Sequence, residues 1–515
     1  MRSYKANKLN FLIFLLYMTL AGMLFAEEPI NRIDRWFVFG TNLAWFKNDY
    51  AWDIGPNHAS GDLKTSFDPA YCETVFQNLE NMGCPLVRIW AFEGQEGLMF
   101  TEDLTKDPKY PYHEVTGLDP VFMQNCRTIM ETAQKHHIHL YWTLLNHLIR
   151  EEQGGRHMRI ITDPKVRSTY INNAAVPFLK EFANNPAFFA VDIINEAEGA
   201  VGGFDALSGG YNPLIGCSWK EMRVFIKECA DAFHSAIPGI KVTSTSGYHE
   251  WNNLKAGRFS GLGLDFYDWH SYQDNPNFPD ASTLGLDKPV IVGECGPKTM
   301  QSKGNYDFQG KNWKAYLEQA RKGYAGILTW SYGNAGTDNN YVMVNADHTW
   351  RPGAKVIFDY ANGELFPDAG PILLSDQGKI DLACVNEAVK PILNAAHDPI
   401  FVSGKTFIQQ KIIKLANQVW NYYPYLNPKY ARIQIERISG EITDLGDYEA
   451  RTNPNEPDQI QNLQKLGSGV LEAVNSSQNL KSLSAVMNLQ NFVNTAPSAK
   501  EPSSNPFDSV LINAH

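Results

Sequence analysis

Short apolar runs and longer amphipathic segments take turns along the chain from residue 36 to about residue 335. Runs rich in β-branched and aromatic residues fall at 36–42, 85–90, 138–145, 188–194, 240–246, 264–269, 289–293 and 326–330. Several are apolar throughout, as in Val290-Ile291-Val292, the pattern of a parallel strand buried on both faces. Segments of helical period lie between them at 69–82, 120–136, 166–183, 218–236 and 313–322, the first opening after Asp68, a good N-cap. Eight such runs alternating with helices predict an α/β fold, a closed (β/α)8 TIM barrel. A doubly wound sheet would call for a glycine-rich phosphate turn after the first strand, and Gly40-Thr41-Asn42 does not supply one.

The pattern changes outside that span. Residues 336–400 keep aromatic and apolar segments and read as barrel closure with a last helix, so the barrel domain is drawn over 27–400. Residues 401–445 are amphipathic and Tyr-rich and suggest a small accessory unit. Residues 446–515 are rich in Asn, Ser, Gln and Pro, with a weak helical period at 461–492, which predicts a polar, mobile tail. The whole C-terminal extension is thus expected to be mainly helical or partly disordered. At the other end Arg2, Lys5 and Lys8 precede an apolar run over 9–20 that leads to Ala26. This reads as a signal peptide over 1–26 and predicts export, to the extracellular space or a periplasm. The run falls short of the ~20 apolar residues that a membrane span needs, so no transmembrane anchor is expected after cleavage.

Charge narrows the partners. The 45 basic residues stand against 56 acidic ones, a net charge of −11, and no Lys/Arg cluster interrupts the balance. Nucleic acid and anionic membranes are repelled on average, and a neutral substrate fits better. The seven cysteines, an odd number, leave at least one unpaired within an exported chain. Cys72 with Cys84, or Cys217 with Cys229, are candidate local bridges, and buried free thiols are the alternative. No His, Asp, Glu or Cys spacing suggests a zinc or calcium cage, so neither metal nor cofactor is expected.

In a barrel the C-terminal ends of the strands form the active face. There the sequence places Arg88-Ile89-Trp90 on the second strand, Asn146-His147 after the third and Asn195-Glu196 after the fourth. His270-Ser271-Tyr272 follows the sixth, Glu294 the seventh, and Trp330 ends the eighth. These residues, in this order, resemble the clan A glycoside hydrolases, most closely the family 5 group of cellulases and β-mannanases. The resemblance rests on Val191-Asp192-Ile193-Ile194-Asn195-Glu196, Asp268-Trp269-His270-Ser271-Tyr272, Val290-Ile291-Val292-Gly293-Glu294 and Gly326-Ile327-Leu328-Thr329-Trp330. The opening Phe39-Gly40-Thr41-Asn42-Leu43-Ala44-Trp45 also looks like that group's first strand. One departure is Ala197, where many members have Pro after the Asn-Glu pair.

The resemblance implies a retaining glycosidase with Glu196 as acid/base and Glu294 as nucleophile, on a β-linked polysaccharide such as mannan or glucan. It implies that Arg88 keeps Glu294 ionised, that Tyr272 donates to it, and that Asn195 binds the sugar 2-hydroxyl. His270, Trp330, His147 and Trp45 complete the expected substrate-binding set, with the choice between Asn146 and His147 left open. Glu198 is a lesser candidate for the acid. Asp192 reads as a structural residue facing a helix or the barrel interior. Transglycosylation on the same barrel, or a non-catalytic sugar-binding surface protein, are the alternatives; both carboxylates are present, which counts against the second.

Overall fold

The computed structural model describes residues 37–46, 53–101, 114–150, 158–185, 187–202, 216–298, 305–333, 341–361 and 365. The signal peptide, the accessory unit and the polar tail expected at 1–26, 401–445 and 446–515 lie outside these residues, as does Cys384.

The strands are β1 (Val38–Leu43), β2 (Leu86–Trp90), β3 (His139–Asn146) and β4 (Phe188–Asn195), then β5 in two pieces (Val242–Thr243 and Thr245–Ser246). β6 (Tyr267–Tyr272), β7 (Val290–Gly296) and β8 (Gly326–Thr329) follow. Every neighbouring pair is parallel. The sheet order runs from Val242–Thr243 through β4, β3, β2, β1, β8, β7 and β6 to Thr245–Ser246. The two ends of that order are separated only by Ser244 in the chain, so the sheet closes on itself. This is the (β/α)8 barrel that the alternation predicts.

Helices α1 (Pro69–Asn81), α2 (Pro120–Lys135), α3 (Pro164–Tyr170), α4 (Val176–Phe182), α5 (Trp219–Ala236), α6 (Tyr306–Ala320) and α7 (Pro352–Ala361) accompany the strands. Three of them start at an Asp-Pro pair. Asp68, Asp119 and Asp163 each accept two backbone N–H bonds of the first turn, and the proline sits where no intrahelical N–H is needed. Ser218 and Glu221 form a reciprocal capping box on α5. α3 and α4 are joined by a π-helical turn, Ile171–Ala175, within the single helix expected there.

β6 and β7 run on to Tyr272 and Gly296, so His270, Tyr272 and Glu294 lie within the strands and not after them. Four further differences from the sequence reading have a local reason. β5 breaks at Ser244 because its halves pair with different neighbours. β6 starts at Tyr267, since Asp265 is engaged instead in accepting from the Val242 amide and in contacting His234. α6 starts at Tyr306, because its first turns bury Gln309 and Gly310 and so lack a large-apolar period. The segment after Phe92, to which the alternation assigns neither strand nor helix, holds an antiparallel pair, Leu98–Phe100 with Val115–Leu118. The cysteines settle as well. Cys72, Cys84, Cys126, Cys217, Cys229 and Cys295 are free and buried, so neither candidate local bridge forms, and burial pushes the Cys72 and Cys84 thiols up to about 12.

Two apolar layers follow from strand alternation. A large cluster joins the outward strand residues to the helices. A smaller, separate cluster of Val38, Leu86, Tyr141, Phe189, Ala190, Phe266, Ile291, Ala325 and Leu328 fills the barrel interior. Period-2 spacing then sets what lies above it. Leu86 is followed inward by Arg88 and Trp90, and Phe266 by Asp268, His270 and Tyr272. Replacing Asp68 by Ala removes two hydrogen bonds at the start of α1. Urea unfolding should show a loss of about 1 kcal/mol with no change in strand content by circular dichroism.

Candidate functional site

Arg88 sits at the centre of the interior, with its side chain fully shielded from solvent. Its Nη1 donates to Glu294 Oε1 at 2.6 Å and to Asn42 Oδ1 at 3.2 Å. Its Nη2 donates to Asp192 Oδ2 at 2.7 Å and to Asn195 Oδ1 at 2.9 Å. The guanidinium also lies 4.3 Å over the Trp90 ring. One planar cation therefore ties β1, β2, β4 and β7 together. Burial opposes its charge, but Asp192 and Glu294 outweigh that and hold it protonated. Asp192 thus faces the barrel interior rather than a helix.

Glu294 reaches the site through an irregularity in β7. Ile291 belongs to the interior cluster and Cys295 to the outer one. By strict alternation Glu294 would share the outward parity of Val292. The pairing with β6 shifts between Val292↔Trp269 and Glu294↔His270, leaving Gly293 as the extra residue of a bulge. The Gly293 amide donates to Asp268 Oδ1 at 2.7 Å, and its carbonyl accepts from Asn42 Nδ2 at 2.8 Å. Only glycine fits, since a Cβ there would lie 2.2 Å from both Asp268 oxygens. The bulge turns Glu294 inward, toward Arg88 and the Tyr272 hydroxyl, which donates to Oε2 at 2.8 Å.

Glu196 follows the last residue of β4 with φ +48°, a left-handed conformation uncommon for a side chain of this size and concentrated at functional positions. Its amide donates to Thr245 Oγ1 at 2.7 Å. His270 Nδ1 stands 2.8 Å from Glu196 Oε1 and 3.4 Å from Glu294 Oε2. One oxygen of each glutamate and a His270 ring nitrogen all lie within 4.8 Å of one another. Burial lowers His270 to about 3, so the imidazole is neutral between the two carboxyls. Burial raises Glu196 to about 7. It raises Glu294 as well, against the opposing pull of the Arg88 cation and the Tyr272 hydrogen bond. The Arg88 cation and the Tyr272 hydroxyl are bonded to Glu294 and not to Glu196, so the pair holds its proton on Glu196.

The remaining expected residues gather around this pair. His147 opens the turn after β3, with Nδ1 3.6 Å from Glu196 Oε2 and Nε2 2.8 Å from the Tyr248 hydroxyl. Asn146 instead donates from Nδ2 to Glu93 Oε1 at 2.6 Å, so of the two it is His147 that faces Glu196. Trp330 follows β8, and the Trp330–Ser331 peptide is cis. Its ring meets Trp90 edge-on at 5.5 Å and Trp45 at 5.7 Å between centroids. Trp45 Nε1 donates to Glu93 Oε2 at 2.5 Å. Glu198, the lesser candidate for the acid, is fully buried and accepts from Ser246, Gly247 and Tyr248, so it cannot reach a substrate.

No family model matches the chain. Among curated proteins, it is 27% identical over 332 residues to a mannan endo-1,4-beta-mannosidase of Mytilus edulis, covering 57% of this chain and 83% of that one. It is 20% identical over 359 residues to a protein of the same name from Cryptopygus antarcticus, covering 63% and 89%. Among solved structures, a beta-1,4-mannanase from Aplysia kurodai is similar with 22% identity and a TM-score of 0.46, over 63% of this chain and 92% of that one. The two curated names agree with the family 5-like resemblance carried by the strand ends.

A pH effect on stability follows from Glu196. Unfolded, its carboxyl loses its proton near the ordinary 4.5; folded, it does so at about 7. Between those values the unfolded chain binds fewer protons, so stability falls as pH rises through that window. Glu196→Gln removes the penalty. Thermal melts should show the variant about 1–3 kcal/mol more stable than wild type at about pH 8, with the gain vanishing below about pH 4.5.

Proposed function

We propose that this chain is a retaining glycoside hydrolase that cleaves internal β-1,4 linkages of mannan. The observation that carries the reading is a pair of carboxyls, Glu294 buried and Glu196 partly buried, with one oxygen of each within 4.8 Å, of which Glu294 is bonded to a guanidinium. A retaining pair sits ~5–5.5 Å apart, whereas an inverting pair stands ~6.5–9.5 Å apart to admit a water. Mannan as the polymer is supported by the names of the two curated relatives.

In the proposed reaction Glu294 attacks the anomeric carbon while Glu196 gives its proton to the departing glycosidic oxygen. The C–O bond to the leaving sugar breaks as the bond to Glu294 forms, giving a glycosyl ester. Glu196, now ionised, takes a proton from water, whose oxygen attacks the same carbon and releases Glu294. Arg88 and Tyr272 hold the Glu294 charge that returns at the end of each turnover. The Asn195 amide oxygen is occupied by Arg88, which leaves its Nδ2 as the donor toward the sugar 2-hydroxyl. Trp330, set edge-on against Trp90 and Trp45, offers a flat face for the ring. Action outside the cell is part of the proposal, on the basic-then-apolar pattern of residues 1–26.

The test compares wild type with Glu196→Ala and Glu294→Ala on mannan, glucan and xylan. Wild type should release oligosaccharides from mannan, and each variant should lose on the order of 10³-fold or more. Azide should restore turnover of an activated mannoside by Glu294→Ala, giving the α-mannosyl azide. Full activity in either variant would overturn the assignment.

A further inference from the structure

We propose that Glu198 is a positioning residue for acid catalysis, holding the turn after β5 against which the Glu196 carboxyl is seated. The inference rests on the preceding reading of Glu196 as the acid. Glu198 lies two residues after Glu196, in the short 3-10 turn Ala197–Ala200, with its side chain wholly buried. A buried carboxyl that cannot meet substrate requires a structural reason, because desolvating it is costly unless donors converge on it. The donors are there. Oε1 is 2.7 Å from the Gly247 amide, 2.9 Å from the Tyr248 amide and 2.9 Å from Ser246 Oγ. Oε2 has no hydrogen-bond partner among the described residues. All the bonding capacity in use therefore goes to one turn.

That turn is the wall behind Glu196. A Cβ on Gly247 would stand 2.1 Å from Glu196 Oε1 and 2.2 Å from its Cδ, so the acid's carboxyl occupies the space a side chain would fill. The next residue, Tyr248, carries the hydroxyl that bonds His147, whose other ring nitrogen faces Glu196 Oε2 at 3.6 Å. Gly199 closes the arrangement from the Glu198 side. A Cβ there would come within 2.7 Å of both His147 and Tyr248. One carboxylate thus fixes the backbone beneath Glu196 and the Tyr248–His147 pair beside it. Shifting the turn by a few tenths of an ångström would move the acid relative to the glycosidic oxygen. Glu294, held from β2 and β6, would stay in place.

This predicts a loss confined to the proton-transfer part of the reaction. Mannohexaose needs its leaving oxygen protonated, whereas a 2,4-dinitrophenyl β-mannobioside departs without help. In the full chain, Glu198→Ala should lower kcat/KM on mannohexaose by about 100-fold, in the range of general acid contributions. On the dinitrophenyl substrate it should change kcat/KM by less than about 5-fold, with the scale of the split set by the same general acid contribution. Glu198→Gln keeps an oxygen for the three donors and places its amide where Oε2 has no partner, so it should restore the mannohexaose activity. Equal losses on both substrates, or no loss on either, would overturn the proposal. If Glu198→Ala does not fold, Gly247→Ala takes its place. It presses directly on the Glu196 carboxyl and should give the same selective loss, and equal losses from it would count equally against the idea. Glu196→Ala run beside them tests the underlying reading separately. If that variant shows no preference for the activated substrate, Glu196 is not the acid, whatever Glu198 does.

Discussion

A single buried guanidinium organises the C-terminal end of the barrel. Arg88 has no access to water and makes four hydrogen bonds, two of them to carboxylates, across four strands. Such a charge is tolerated only when its partners are complete, because removing one leaves an uncompensated ion in a low-dielectric interior at a cost of ~3–5 kcal/mol. Each partner is therefore held in place by the others. Asn42 receives Arg88 on its oxygen and gives its amide to the Gly293 carbonyl. Asp192 also accepts from Thr143. Asn195 has its amide orientation decided by the same cation. The result is a preorganised cationic seat for the Glu294 carboxylate, which under the proposed mechanism needs no rearrangement when charge returns to it.

The second constraint is geometric. A barrel strand sends alternate residues inward, and a catalytic pair requires two particular residues to face each other across the mouth. Glu294 has the wrong parity for its strand, and the bulge at Gly293 corrects it. Asp268 caps the bulge, itself raised to about 8 by burial and bonded to the Tyr141 hydroxyl at 2.8 Å. Glu196 is turned by its left-handed backbone instead. Both carboxyls thus depend on local departures from regular strand geometry, the bulge held by the buried Asp268 and the Glu196 amide held by Thr245.

Much of this was legible from the chain. Strand–helix alternation identified the barrel, and the strand ends with the family resemblance pointed to Arg88, Asn195, Glu196, His270, Tyr272, Glu294, Trp330, His147 and Trp45, which the structure links in one network of contacts. Period-2 spacing had more to offer. Asp268 lies two residues before His270 and had to share its inward side, so it was predictable as part of the interior layer. Glu93 and Tyr248 were not. They sit in irregular turns where no period applies, and their importance comes from partners 48 to 101 positions away in the chain. Glu198 looked like a second acid because it is close in sequence to Glu196. Only the three-dimensional turn shows that its carboxyl is taken up by the Ser246 hydroxyl and the Gly247 and Tyr248 amides.

The geometry of the two carboxyls makes one demand that an inverting pair does not share. If they act by double displacement, the sugar released first must carry the anomeric configuration of the bond that was cut. Proton NMR of mannohexaose hydrolysis, recorded within minutes and before mutarotation, reads that configuration directly. The β-anomer as the first product is the predicted result. The α-anomer would mean single displacement by water and would contradict the placement of Glu294 as nucleophile.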